Sequence, residues 1–222
     1  MQNLILIDKA KGVTSFDVIR KLRRKLGIRK MGHAGTLDPL ASGLLLIGVG
    51  EGTKELKNLI GLDKEYEAEV LLGIATTTAD MEGEIIDMVE NGKLKKISKE
   101  ETERVLDSLV GIVDLPVPVY SAIKRGGESL YKKARRGEKV DPPIKKMEIK
   151  NIKLLSFGFG TANTEFEDKI VLKIRLKVSS GTYIRSIAEE IGRRLGVPAV
   201  IKELRRTKVG DFDVKNAEKL LL

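Results

Sequence analysis

The chain has 222 residues, 41 Lys and Arg against 32 Asp and Glu, a formal charge of +9, one His and no Cys. That length supports one domain, or one and a small appendage, with a core that needs no disulfides, and the charge favours polyanionic partners, nucleic acid first. One His without Cys excludes a usual zinc site, and the apolar run at residues 4–7, ended by Asp8 and Lys9, is too short for a signal-peptide core or a membrane span. A cytoplasmic protein is therefore expected.

Thr14 or Ser15 caps a predicted helix whose apolar face is Phe16, Ile19, Leu22 and Leu26, stopped by Gly27, with its other face basic. Residues 43–49 form a continuous apolar stretch expected of a buried strand, and 66–72 alternate as a half-buried one. Ser98 with Glu101 reads as a capping box that opens a helix through Val105, Leu106, Leu109 and Val110 to Gly111. Residues 113–118 and 141–143 contain prolines and read as loops. Strands are predicted over 147–157 and 169–178. In the second, Ile170, Leu172, Ile174, Leu176 and Val178 share one face, with Lys169, Lys173, Arg175 and Lys177 on the other. Ile184, Ile187, Ala188, Ile191 and Leu195 then mark a helix closed by Gly196. Strands at uneven spacing with intervening helices give an α+β mixed sheet, with no linker, repeat or low-complexity stretch.

Charge is unevenly placed. Residues 18–37 carry Arg20, Lys21, Arg23, Arg24, Lys25, Arg29 and Lys30 and no acid, while 124–150 and 193–208 are also basic and 80–107 is mostly acidic. Each basic run alone fits a solvated helix face; together they predict a basic face and an acidic back, with RNA along the basic one.

The first of these runs leads into Gly-His-Ala-Gly-Thr-Leu-Asp-Pro-Leu-Ala-Ser-Gly at 32–43, which holds the sole histidine, His33, and places Asp38 before Pro39. Its glycines permit close approach or sharp turns, and the proline pushes Asp38 toward an extended backbone. By spacing alone the segment also fits a surface turn in which Asp38 bonds its own backbone. It resembles, however, the catalytic motif of the TruB family of tRNA pseudouridine synthases. Five further blocks resemble that family in the same order: Asp8-Lys9-Ala10-Lys11-Gly12-Val13-Thr14-Ser15, Lys64-Glu65-Tyr66, Val119-Tyr120-Ser121-Ala122, Ser180-Gly181-Thr182-Tyr183-Ile184-Arg185 and Leu204-Arg205-Arg206-Thr207. Ala10 departs from the proline usual in the family.

The resemblance implies the pseudouridine-synthase fold, a long, mostly antiparallel mixed sheet flanked by helices with a central cleft. It implies isomerisation of a uridine in the T-stem loop of tRNA, with the base flipped out, its bond from C1′ to N1 broken and one to C5 made. Asp38 is the implied catalytic aspartate, as nucleophile or base, with Arg185 its counter-charge and Tyr66 and Tyr183 the active-site tyrosines. His33 is implied to steady the extruded nucleotide, Leu204 to line the uracil pocket, and Lys9 and Lys64 to lie near the cleft. Without the resemblance, the tyrosines and Leu204 read as core or rim residues and the lysines as surface ones. Arg185 gives an independent hint, because it falls in the first turn of its helix, where the dipole disfavours a cation unless an anion lies close. No cofactor, metal or protein partner is implied, and a monomer is expected, formed by one catalytic domain over 1–222 that lacks the family's C-terminal RNA-binding domain. Two rivals stand beside this reading. One is an RNA-folding module without turnover. The other is a nucleotide-binding protein that uses Gly48-Val49-Gly50-Glu51-Gly52-Thr53-Lys54, although a phosphate loop needs Lys before Thr.

Overall fold

Apolar runs of period two and of period 3.6 alternate along the chain, and strands and short helices follow them. In chain order the computed structural model, which describes residues 3–160, 166 and 168–220, has β1 (Leu4–Lys9), α1 (Ser15–Leu26), β2 (Met31–His33), β3 (Ser42–Val49), α2 (Leu56–Ile60), β4 (Lys64–Leu72), β5 (Ile74–Thr76) and β6 (Ile85–Met88). It continues with α3 (Asn91–Leu94), α4 (Lys99–Asp107), β7 (Gly111–Pro116), β8 (Lys124–Arg125), β9 (Glu128–Ser129), α5 (Leu130–Arg135), β10 (Ile144–Phe159), β11 (Ile170–Val178), α6 (Ile184–Arg194), β12 (Ala199–Val209), β13 (Phe212–Asp213) and β14 (Glu218–Lys219). These elements fall into two compact units: Met1–Ala68 with Arg175–Ser180 and Glu203–Leu222, and Glu69–Ile174 with Gly181–Lys202. Both are α+β, and β4, β11 and β12 each supply residues to both.

In the first unit β3 is central and buried from Gly43 onward, as its unbroken apolar sequence requires. It pairs antiparallel with β1 (Leu4↔Gly48 to Lys9↔Gly43) and with β2 (His33↔Ile47), and parallel with β12 (Arg205↔Ser42, Arg206↔Gly43). Ala34, Leu44, Leu46 and Val209 form a core cluster. Helix α1 is capped by Thr14, in a reciprocal box with Asp17, and ended by left-handed Gly27. It buries Ser15, Val18, Ile19 and Leu22, while Phe16 and Leu26 are exposed. The expected apolar face was therefore rotated: Val18 joins Ile19 and Leu22, and Phe16 sits about 100° around the helix from Ser15.

In the second unit β10 pairs antiparallel with β7 (Ile144↔Pro116 to Ile149↔Gly111), and α6 buries Ile184, Ile187, Ala188 and Ile191. Residues 113–116, expected in a loop, are strand. Pro116 is tolerated because β7 is an edge strand and its missing N–H leaves no ladder bond unmade there. Helix α4 starts where expected, Ser98 Oγ accepting from the Glu101 N–H at 3.0 Å, but stops at Asp107. Leu109 is buried in the following turn, and Gly111, at φ 113°, opens β7. Strand β11 buries the five aliphatic residues predicted to share a face, whereas Lys169 lies just before it, buried, with Nζ donating to the Val89 carbonyl at 3.0 Å.

The Gly48–Lys54 segment is no phosphate loop. Gly50–Lys54 is a 3-10 turn in which a Cβ on Gly52 would overlap the Asn3 carbonyl, Thr53 Oγ1 donates to the Gly50 carbonyl at 2.7 Å and Lys54 pairs with Glu51 at 2.5 Å. Backbone and side chains that would cradle a phosphate are already engaged within the turn.

Candidate active site

The Asp38 loop leaves β2 after His33 and enters β3 at Ser42, and its two arms are fixed from several sides. The Ser15 hydroxyl accepts from the Leu37 N–H at 2.9 Å and donates to the Leu37 carbonyl at 3.2 Å, so Ser15 turns inward while Thr14 does the capping. Beyond Asp38, the Pro39 carbonyl accepts from the Gly12 N–H at 2.8 Å, and the Asp38 carbonyl from the Ala41 N–H at 3.1 Å. Lys9 is 1% exposed; its ammonium donates to the carbonyls of Ala10 and Val13 at 2.9 and 2.7 Å and reaches that of Pro39 at 3.5 Å. The Asp8–Ser15 block thus wraps the loop with backbone and side-chain bonds, and these do not require a proline at Ala10.

Arg206, also 1% exposed, lies under the same loop. Its guanidinium donates to the carbonyls of Leu44 (2.8 Å), Gly35 (3.1 Å) and Thr36 (3.5 Å), and no carboxylate pairs with it among the described residues. Its own backbone runs beside Gly43, where a Cβ would penetrate the Arg206 main chain, and Gly43 holds φ 104°. Only glycine fits there. The neighbours of Arg206 on β12 point the other way: Arg205 grips the Asp8 carboxylate with two bonds of 2.9 and 2.8 Å, and Thr207 Oγ1 donates to the Glu65 carbonyl at 3.2 Å.

The uncompensated Arg206 charge affects two expected site residues. The Lys64 ammonium is buried on the carbonyls of Ile60 and Leu62 (2.5 and 2.6 Å) and on Ser180 Oγ (3.2 Å). Burial first and Arg206 second lower its pKa to about 8, with Asp63 opposing. The half-buried His33 is likewise lowered, by burial and then by Arg206, with a Gly35 backbone contact opposing, which keeps the imidazole neutral near pH 7. Its Nδ1 is buried and meets no partner in hydrogen-bonding geometry among the described residues. Tyr66, on β4, and Leu204, on β12, are both buried in this unit. Six of the eight expected residues, Lys9, His33, Asp38, Lys64, Tyr66 and Leu204, therefore belong to the first unit, and Tyr183 and Arg185 to the second.

Arg185 opens α6 and is buried. It donates to the carbonyls of Thr78 at 2.9 Å and Tyr120 at 3.0 Å, and lies 3.7 Å from Oδ2 of Asp80. Asp80 is an anion close to this first-turn cation within the unit, and Glu189 on the same helix also feels the Arg185 charge, which opposes the upward push of burial on its pKa. Asp80 is buried, and its Oδ1 accepts from Thr78 Oγ1 at 2.5 Å and from the Glu82 N–H at 3.0 Å. Ala79 beside it holds φ 60°, an uncommon backbone for a residue with a side chain. The Tyr183 N–H points at Met147 Sδ (3.4 Å), and the Lys145 ammonium, bonded to the Gly181 carbonyl at 2.8 Å, stands 5.8 Å from the Tyr183 ring centre.

Sequence reasoning did not single out Asp80, Arg206 or Ser15. For Arg206 a signal was present, since consecutive arginines on a strand face opposite sides and one of them must enter the core of a covered sheet. Asp80 had only the misplaced charge of Arg185 to betray it, and Ser15 was read as a cap. No group of three or more His, Cys, Asp or Glu able to hold a metal ion exists among the described residues.

Comparisons with known proteins bear on the family of the chain as a whole. The family model described as TruB family pseudouridylate synthase (N terminal domain) matches residues 23–184, and that described as tRNA pseudouridylate synthase B C-terminal domain matches residues 185–221. The chain belongs to the TruB family. Relatives named tRNA pseudouridine synthase B include those of Leifsonia xyli, 42% identical over 98% of this chain and 70% of its own length, and Geobacillus kaustophilus, 41% identical over 97% and 74%. Among solved structures, a chain of a Cbf5-Nop10-Gar1 complex aligns with a TM-score of 0.71 at 27% identity, covering 98% of this chain, which spans about half of that one (52%). As a TruB-family pseudouridylate synthase, the protein is an isomerase that converts uridine to pseudouridine. Its fold is the pseudouridine-synthase fold.

Proposed function

We propose that this protein isomerises a uridine in the T-stem loop of tRNA, with Asp38 as the reacting carboxylate. The observation that carries the reading is the fixing of Asp38's neighbours: Leu37 by Ser15, Pro39 by Gly12 and Lys9, and Gly35 by Arg206. A surface turn needs none of these clamps, whereas a group that must meet one atom of a substrate needs its backbone held. The names of the tRNA pseudouridine synthase B relatives support the substrate.

The reaction must detach uracil from C1′, turn it and rejoin it through C5, so the base has to leave its stack and the freed ring has to be retained. In this reading Asp38 and Arg185 act on the same nucleotide. Tyr66 and Tyr183 offer aromatic faces to the uracil, Leu204 an apolar wall, and neutral His33 steadies the extruded nucleotide. Lys9 and Lys64, with their ammonium groups on carbonyls, serve the site by holding its walls. The two units act as parts of one catalytic domain, since three strands contribute to both. The protein works as a cytoplasmic monomer; no helix is long and apolar enough to cross a membrane among the described residues.

Incubation with unmodified tRNA and with an isolated T-stem loop hairpin, followed by mapping of carbodiimide-reactive sites, tests the reading. New pseudouridine is expected at one loop position, and none with Asp38→Asn, which should still bind the hairpin. Binding by the wild type without any product would leave an RNA-folding module instead.

A further inference from the structure

The exposed face of α1 has no role in the core. Val18, Ile19 and Leu22 bury the helix, yet Phe16 in its first turn stays 53% exposed. The guanidinium groups of Arg20 and Arg23 each stand 5.7 Å from the centre of its ring. Positions 16, 20, 23 and 24 lie on one helical face, so Arg24 continues the same strip. Arg23 is held in place by donation to the Met31 carbonyl of β2 at 3.3 Å, and its Nε is buried without a partner among the described residues. The helix carries one acid, Asp17, which is engaged by Thr14 and Arg20 at the cap, against Arg20, Lys21, Arg23, Arg24 and Lys25. The strip is also tied to the Asp38 loop, because Ser15, the residue before Phe16, holds both backbone groups of Leu37.

We infer that this face is an RNA-binding ledge, on which a base flanking the target uridine stacks against Phe16 while Arg20, Arg23 and Arg24 contact the adjoining phosphates. The inference rests on the proposed reading that the substrate is RNA. Charge complementarity selects the occupant. An exposed aromatic with guanidinium groups near it offers a π surface for a base and cations for a polyanionic backbone, whereas an acidic protein surface would use the cations and leave the ring idle. The firm placement of Arg23 lowers the ordering cost of each encounter.

The test is equilibrium binding of a labelled, unmodified T-stem loop hairpin to the full chain in an Asp38→Asn background, where no turnover intervenes. Phe16→Ala should raise Kd about tenfold and Phe16→Trp should not, because stacking on one aromatic side chain is worth roughly that much. Arg24→Gln should make the slope of log Kd against log salt shallower by roughly 0.7 to 0.9, the value for one lost phosphate contact. Unchanged affinity for Phe16→Ala, or an unchanged slope for Arg24→Gln, overturns the ledge whatever the wild type does to uridine. If the wild type makes no pseudouridine while Phe16→Ala still loses affinity and Phe16→Trp keeps it, the ledge stands and the catalytic reading falls.

Discussion

Arg206 donates to the Gly35 carbonyl at 3.1 Å on one arm of the Asp38 loop and to the Leu44 carbonyl at 2.8 Å on the other, so a single buried guanidinium spans the loop. The planar fork makes this possible, and a lysine ammonium cannot reproduce it. Arg206→Met should leave these carbonyls buried and unpaired, at about 1–3 kcal/mol each, and lower the melting temperature accordingly. Arg206→Lys keeps the charge but loosens the loop, and its turnover should fall about 10²-fold while hairpin affinity changes little. Single-turnover rates and binding measured side by side check this, and an unimpaired rate in Arg206→Lys would remove the residue from loop positioning.

Two left-handed glycines near the site differ in what surrounds them. Gly43, at φ 104°, faces the Arg206 main chain, whereas a Cβ on Gly12, at φ 85°, would meet nothing within 4 Å among the described residues. Gly12→Ala should thus cost only the backbone preference, about 1 kcal/mol. Gly43→Ala has to force β3 from β12 and should cost more than about 3 kcal/mol, because the obstacle is backbone and cannot rotate away. Denaturant unfolding of the two variants gives the comparison, and equal costs would show that the β3–β12 contact yields easily.

Much of this arrangement could be read from the residues, and what could not has a physical reason. Strand β11 was legible because five aliphatic residues occupy every second position, with Lys173, Arg175 and Lys177 between the last four, and α6 because its apolar spacing ends at Gly196. The α4 end was misjudged since Leu109 is buried in a turn beyond Asp107, and burial without helical backbone leaves the same sequence pattern. The rotated face of α1 has a related cause: Phe16 is apolar, but its position puts it on the solvent side. The Asp38 motif announced itself and the resemblance put Lys9 near the cleft, but Ser15 read only as a cap, because its hydroxyl acts on the backbone N–H and carbonyl of Leu37, which no side-chain pattern records.

Asp80 should govern Arg185 in the second unit. Its carboxylate lies 3.7 Å from the guanidinium and is itself held by Thr78 and the Glu82 N–H. Asp80→Asn keeps the shape and removes a charge 3.7 Å from the buried cation. Breaking a buried pair in this way costs about 3–5 kcal/mol, so the variant should melt lower and lose about 10²-fold in turnover as Arg185 shifts. Asp87→Asn, on the exposed strand β6, should do neither. Wild-type turnover in Asp80→Asn would separate Asp80 from the reaction.

Lys64 gives a pH dependence with a definite sign. Its pKa falls from 10.5 to about 8 in the folded chain, chiefly because burial disfavours the ammonium and then because Arg206 is near. Between those two values the unfolded chain holds a proton at this position that the folded chain has released, so this group makes unfolding harder as pH rises from about 8 toward 10.5. Below about 8 both states are protonated and the contribution is flat, at its least favourable. Lys64→Met removes the titration, and the melting-temperature difference, wild type minus variant, should therefore grow from pH 8 to pH 10 and stay constant from pH 6 to about 7. The loss of the Ile60 and Leu62 bonds shifts that difference by the same amount at every pH and leaves its slope intact. A difference that does not change between pH 8 and 10 would mean that the carbonyls keep Lys64 protonated and that Arg206 is screened from it.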